Sequence, residues 1–128
     1  LARGDLMDLH ESGEMYLETI LRLKQKNGSV RSIDVANALN YSKPSVSRGM
    51  KLLKESQLII IDQKGYIDFT EEGKQKAEKI YQIHTSITEF LTKIGVSLKQ
   101  AEQDACRIEH IISEETFLCI QKFMEKQS

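Results

Sequence analysis

The sequence has few of the features that mark secreted or membrane proteins. Its 128 residues include only two cysteines, Cys106 and Cys119, too few for a disulfide framework and typical of a reducing compartment. The longest purely aliphatic run, residues 58–61, is far too short to cross a bilayer. The first twenty residues contain several acids and no apolar core, unlike a secretory signal. These absences predict a cytoplasmic protein with no membrane partner.

Charge is nearly balanced over the whole chain but is unevenly distributed along it. The formal net charge is −1. Residues 22–55 nevertheless hold eight basic groups and two acids, whereas residues 1–21 hold one basic group and five acids. A basic segment on a near-neutral protein is typical of local contact with phosphates, as in nucleic-acid binding. The alternative is a lysine-rich face that is only solvated.

The hydrophobic pattern and the capping residues predict three helices, a hairpin and three further helices. A frayed or partly helical arm is expected before the first helix. The expected elements are a helix over about 10–25, a short helix capped by Ser32 with Val35, Ala36 and Leu39 inward, a helix over 43–56, a hairpin over 58–70, a long helix from Thr70 to about Ile94, a helix from Ser97 to about Ile112, and a helix capped by Ser113.

Two short helices joined by a tight turn, with a helix before them and a hairpin after them, are typical of a winged helix-turn-helix. The predicted fold class is therefore mainly α. A winged helix-turn-helix DNA-binding domain is expected over residues 1–72 and an α-helical domain over residues 73–128. Winged helices also serve as protein-interaction modules, which is the alternative for this domain.

The helix that begins at Lys43 is predicted to enter the major groove. Arg48 is the strongest candidate for a base contact, because a guanidinium can pair with both O6 and N7 of guanine. Lys64, at the tip of the hairpin, is the candidate contact of the wing. Ser45 and Ser47 could instead serve the helix cap. The predicted DNA contacts are Arg31, Ser42, Lys43, Pro44, Ser45, Ser47, Arg48, Lys51 and Lys64.

A candidate metal site lies near the C-terminus. Cys106, Glu109 and His110 are spaced i, i+3 and i+4, so they share one face of a helix, and Glu102 lies on the same side. Thiolate and imidazole suit a transition ion, whereas calcium and magnesium prefer oxygen ligands alone. The alternative for Cys106 is a small buried hydrophobic residue.

One helix rarely completes a coordination sphere, so further ligands are expected from other helices. The candidates are His84 on the long fourth helix, and Met15 and Glu18 on the first helix. Spacing alone favours a core position for Met15 over a ligand role, and His84 could lie on the surface.

Four segments of the chain together resemble the diphtheria-toxin-repressor family of metal-dependent transcriptional repressors. Residues 104–110, with the sequence DACRIEH, resemble the ACRxEH motif of that family. Residues 14–18 resemble its first-helix motif, residues 42–47 the start of its recognition helix, and residues 70–73 the entry to its fourth helix. The resemblance covers about residues 10–125. It implies the short form of the family, without the SH3-like domain.

The resemblance implies a homodimer in which a helical dimerisation domain follows the winged helix, with a divalent metal at their junction. It assigns Met15, Cys106, Glu109 and His110 to the primary site of iron-responsive members. It matches His84 to a ligand of the second site and Glu18 to a carboxylate of the manganese branch. Thr88 and Glu102 depart from the iron branch, which has glutamate and histidine there, so a second site could be altered or built from His84, Glu18 and Glu102.

The predicted function is a metal-dependent repressor of metal-homeostasis genes that binds a palindromic operator in double-stranded DNA. Fe²⁺ is the first choice of effector and Mn²⁺ the second. The expected mechanism is that metal ties the first helix to the dimerisation domain and so fixes the spacing of two reading heads. The alternative is a metal-independent winged-helix regulator that senses a small molecule. An enzyme is not expected, because no nucleophile–base pair accompanies the ligands.

Overall fold

The computed structural model describes the backbone of residues 2–126 and the side chains of residues 13–126. The order of three helices, a hairpin and three helices is as predicted. The elements are α1 (Ala2–Asn27), α2 (Ser32–Leu39), α3 (Lys43–Glu55), β1 (Ile59–Ile61), β2 (Ile67–Phe69), α4 (Glu71–Lys93), α5 (Leu98–Ile108) and α6 (Glu114–Lys126).

The chain forms two compact units, residues 1–78 and residues 79–128. This division lies within α4, as does the predicted domain boundary between residues 72 and 73, which stays a prediction. None of the helices in the described part of the chain combines the length and the apolar character that a bilayer crossing requires.

The two short helices of the first unit follow from local sequence signals. The hydroxyl of Ser42 accepts the backbone N–H of Ser45 at 3.3 Å and caps α3, and the buried face of α3 consists of Val46, Met50 and Leu53, as predicted. The prediction that Ser32 caps α2 is wrong. Arg31 is the N-cap residue, and its backbone N–H is bound by the carboxylate of Asp34 at 2.8 Å.

Helix α1 is longer than the hydrophobic pattern indicated. The predicted arm over residues 1–9 is helical from Ala2 onward, and Leu1 lies outside the described residues. Tyr16, Leu17 and Ile20 are buried in the first unit, so the second half of α1 supplies a large share of its core.

The hairpin is an antiparallel pair of strands in which Ile59 is paired with Phe69, and Ile61 with Ile67. Its base is fixed by a close backbone approach. A Cβ added at Gly73, in the first turn of α4, would lie 1.8 Å from the carbonyl oxygen of Leu58. Only glycine therefore fits where α4 crosses the start of the hairpin.

In the second unit, α5 ends earlier than predicted. Ser97 caps it as expected, but it ends at Ile108 and not near Ile112. The backbone N–H of Glu109 still binds the carbonyl of Ala105 at 2.9 Å, whereas the N–H of His110 turns to the carbonyl of Arg107 at 3.4 Å. The chain thus tightens from α-helical to 3₁₀-type bonding over these residues.

Candidate metal centre and nucleic-acid interface

Cys106, Glu109 and His110 form a cluster at the C-terminal end of α5. Each offers one ligand atom, and these atoms lie within 4.8 Å of one another. Glu109 is 6% exposed, while Cys106 and His110 are half-buried. Although α5 ends at Ile108, Glu109 keeps helical dihedral angles (φ −58°, ψ −25°), so the side chains converge as they would on a continued helix.

The donors of this cluster fit a divalent transition ion. Metal–ligand bonds of about 2.0–2.3 Å place neighbouring ligand atoms about 3–4 Å apart. The three ligand atoms, which lie within 4.8 Å of one another, are close to that spacing. A thiolate, a carboxylate and an imidazole are a mixed set that suits iron, zinc or manganese better than calcium.

The start of α3 presents an exposed polar surface. Ser45 is half-buried and accepts hydrogen bonds from the hydroxyl of Ser42 at 2.9 Å and from the guanidinium of Arg48 at 3.5 Å. The predicted DNA contacts that are exposed on or next to this helix are Ser42, Lys43, Pro44, Ser47, Arg48 and Lys51. Hydroxyls and cations at a helix N-terminus can bind phosphates and base edges.

The remaining two predicted DNA contacts lie on the wing and beside it. Lys64 is exposed in the turn between β1 and β2. Arg31 is also exposed, and its guanidinium donates a hydrogen bond to the carbonyl of Lys64 and lies over the ring of Tyr66, 4.7 Å from the ring centre.

Two family models together match almost the whole chain. Residues 8–70 match a domain described as "Iron dependent repressor, N-terminal DNA binding domain", and residues 70–128 match "Iron dependent repressor, metal binding and dimerisation domain". The chain belongs to the iron-dependent repressor family. The resemblance inferred from its motifs is thereby confirmed.

Curated relatives of the family support the same assignment. The chain is 32% identical over 120 residues to an uncharacterized HTH-type transcriptional regulator, MJ0568, of Methanocaldococcus jannaschii, covering 92% of this chain and 96% of that protein. It is 35% identical over 112 residues to the transcriptional regulator MntR of Escherichia coli O6:H1, covering 87% of this chain and 72% of that protein.

Solved structures of the family share the fold. The metal-dependent transcriptional regulator MtsR superposes with a TM-score of 0.81 at 23% identity, over 88% of this chain. The match covers 53% of the MtsR chain, so the present chain spans about half of its length. The winged helix-turn-helix followed by a helical domain is therefore confirmed as the fold of this iron-dependent repressor family member.

His84 lies beside the candidate metal cluster. It is 7% exposed, so the surface alternative is wrong, and its Nδ1 lies 2.8 Å from Oε1 of Glu109. A histidine that donates a ring N–H to a ligating carboxylate fixes the orientation of that carboxylate. Thr88, the departure from the iron branch, donates its hydroxyl proton to the carbonyl of His84 at 2.8 Å.

The other predicted ligands are placed as follows. Glu102 is exposed on α5 and is not part of the cluster around Cys106 in the described residues. Met15 is half-buried on α1, and Glu18 is 4% exposed and accepts a hydrogen bond from Arg22 at 2.8 Å. The metal-binding roles of Met15, Glu18 and Glu102 stay predictions.

Sequence reasoning missed the contact between Tyr16 and Gly49. A Cβ added at Gly49, in the middle of α3, would lie 2.1 Å from Cε2 of Tyr16. The Tyr16 hydroxyl donates to the carbonyl of Ser45 at 3.5 Å, and burial, assisted by Tyr41, raises the pKa of Tyr16 while Arg48 opposes the shift. The available signal was the glycine itself, because a glycine inside a helix often marks close packing.

Proposed function

We propose that this chain is a metal-activated transcriptional repressor that binds duplex DNA as a homodimer. The observation that carries the proposal is the convergence of Cys106, Glu109 and His110, whose ligand atoms lie within 4.8 Å of one another. This cluster lies in the segment that matches the metal binding and dimerisation domain, while the exposed polar start of α3 lies in the segment that matches the DNA-binding domain.

The Sγ of Cys106, a carboxylate oxygen of Glu109 and a ring nitrogen of His110 would hold the ion. When bound, a divalent ion supplies a rigid cross-link among its ligands and offsets their negative charge. The thiolate favours Fe²⁺ over Mn²⁺, since manganese sites are dominated by harder oxygen ligands. Met15 and Glu18 are proposed as additional ligands on their resemblance to the family motif of the first helix.

The DNA-binding part would act through α3 and the wing. Arg48 would read a base edge in the major groove, while Lys51 and Lys64 would neutralise phosphates. A two-fold dimer requires a palindromic operator whose half-sites lie about one helical turn, or a multiple, apart. The proposed targets are metal-homeostasis genes, the proposed compartment is the cytoplasm, and no enzymatic activity is proposed.

The decisive experiment measures DNA affinity as a function of metal. A fluorescent duplex selected from a random pool by the wild-type protein would be titrated anaerobically, in a reducing buffer, with FeSO₄, MnCl₂ or ZnCl₂ present. The expected result is a rise in affinity of about 5–150-fold with iron or manganese, the usual range for coupling between two sites. The metal concentration needed for half-maximal DNA binding should rise as pH falls, because the ligands bind the ion in their deprotonated forms.

A matched pair of cysteine variants tests the site itself. Cys106→Ala removes the thiolate and should abolish the metal-dependent rise, whereas Cys119→Ala removes an exposed thiol on α6 and should leave it intact. DNA affinity that does not depend on metal in the wild type would favour a regulator of the small-molecule type. An equal metal response in wild type and Cys106→Ala would remove Cys106 from the site.

A further inference from the structure

We propose that Arg31 is a positioning residue of the wing. Its guanidinium holds the tip of the hairpin, and with it Lys64, in place, so Arg31 affects DNA affinity through the wing and not through a contact of its own. The DNA part of this inference rests on the proposed function.

Four side-chain and backbone features tie Arg31 to the tip. Its Cζ lies 4.7 Å from the centre of the Tyr66 ring, and its Nη2 donates to the carbonyl of Lys64. The backbones of Arg31 and Tyr66 also form an antiparallel bridge. The guanidinium lies close above Gly65, since a Cβ added there would be 3.7 Å from Nε of Arg31.

The hydrogen bonds within the turn itself run to Asp62. Asp62 Oδ1 accepts the backbone N–H groups of Lys64 and Tyr66, each at 2.9 Å. Those bonds are local, whereas the bond from Arg31 to Lys64 joins residues 33 positions apart. Arg31 is also the N-cap residue of α2, so its side chain connects the tip to the start of the helix-turn-helix.

The contacts of Arg31 require a planar guanidinium and not merely a positive charge. A guanidinium can stack on an aromatic ring and direct its N–H groups in the plane at the same time, whereas a lysine ammonium is a point charge on a flexible stem. Arg31→Lys therefore keeps the charge that a phosphate would recognise and removes the geometry that the wing requires. This variant therefore distinguishes a direct phosphate contact of Arg31 from its positioning of the wing.

The first measurement is the salt dependence of DNA binding with MnCl₂ present, on the selected duplex and on a random-sequence duplex. Arg31→Lys should weaken binding about fivefold, the size expected for one stacking contact and one hydrogen bond at an exposed site. The slope of log affinity against log salt should fall by up to about 0.9, the value of one phosphate contact. Tyr66→Leu should reproduce both effects, and Tyr66→Phe, which keeps the ring, should not.

The second measurement asks whether the effect passes through Lys64. In a Lys64→Ala background, Arg31→Lys should cause no further change in slope, because residues acting through one contact are not additive. Wild-type affinity and slope in Arg31→Lys would overturn the proposal and assign Arg31 to a direct phosphate contact. Additive effects of Arg31→Lys and Lys64→Ala would overturn it as well.

The third measurement does not use DNA. The backbone N–H of Asp62 binds the carbonyl of Tyr66 at 3.0 Å, and hydrogen exchange reports the opening of this pair. Arg31→Lys should speed exchange of the Asp62 and Tyr66 amides about fivefold while leaving the melting temperature of the chain unchanged. Unchanged exchange would overturn the positioning role. A wild-type protein that binds no DNA would refute the proposed function, and this measurement would still decide the role of Arg31.

Discussion

The exposed polar start of α3, which is the candidate DNA-reading face, and the candidate metal cluster place their polar groups in opposite ways. On α3, the polar residues are exposed along a regular helix, and Val46, Met50 and Leu53 cover its other side. At the end of α5, Glu109 is buried and its neighbours converge where the helix tightens. A polyanion is long and requires donors spread over a surface, whereas an ion requires donors that point to one spot. Side chains spread along and around α3 supply the first arrangement, and three side chains spaced i, i+3 and i+4 on one helix face supply the second.

The largest expected effect is a loss of folding stability on the DNA-binding side of this comparison. It comes from Gly73, which lies against the base of the wing. Gly73→Ala places a methyl group against the Leu58 carbonyl oxygen, a backbone atom that cannot move aside as a side chain can. We expect a loss of about 3 kcal/mol in the free energy of unfolding, near the upper end for overpacking. Urea denaturation of the full chain measures it.

Gly13 is the matched control, since it also lies inside a helix. A Cβ added there would be 4.0 Å from Leu53 Cδ2, which is ordinary contact. Gly13→Ala should therefore stabilise the chain by about 0.5–1 kcal/mol, the usual gain for alanine over glycine in a helix. Equal effects of the two substitutions would show that the close approach at Gly73 does not restrict the wing base.

The next largest effect is expected on metal affinity. It tests whether the cluster requires the Glu109 carboxylate to be held in one orientation. His84→Leu removes the group that lies 2.8 Å from Glu109 Oε1 and should weaken Mn²⁺ or Co²⁺ affinity about 10–100-fold. His84→Asn should retain most of the affinity, because its amide N–H can take the place of Nδ1–H. Competition with a chelator measures the metal affinity of both variants. A loss of one metal equivalent in both variants would instead make His84 a ligand.

A smaller effect is expected on the DNA-reading face, where single contacts are exposed. Arg48→Ala should cost about 1 kcal/mol on the selected duplex, the lower end for a base-specific contact because this one is exposed, and much less on random DNA. Lys51→Ala, on the same helix, should weaken binding to both duplexes by a similar factor. Anisotropy titrations on the two duplexes measure this difference. Equal losses on both duplexes for Arg48→Ala would remove its base-reading role.

The sequence predicted those parts of the fold that depend on local signals. Ser97 and Ser113 cap helices as expected, because the serine hydroxyl and its N–H partner lie three residues apart. The inward stripe of α3 followed from helical spacing. The end of α5 could not be predicted in this way, because Ile111 and Ile112 continue the apolar pattern without a glycine or proline. In the structure Ile111 is 69% exposed, so it does not extend the buried face of the helix.

The candidate site was predictable in part for the same reason. Cys106, Glu109 and His110 are neighbours in the chain, so spacing alone brought them together. The pairing of His84 with Glu109 joins residues 25 positions apart, and the packing of Tyr16 on Gly49 joins residues 33 positions apart. A glycine inside a helix can signal close packing, but no local pattern identifies the partner residue, since that depends on how the helices pack against each other.

The packing of Tyr16 on Gly49 restricts how this repressor could be retargeted to a new operator. The side chains at 47, 48 and 51 are exposed, so substitutions there leave the core packing intact and these positions can be varied in a selection for altered sequence preference. Position 49 cannot take part, because any side chain there would collide with a buried aromatic ring. A library built on this scaffold should therefore randomise around the glycine and leave it unchanged, and every functional reader helix recovered from it should carry glycine at that position.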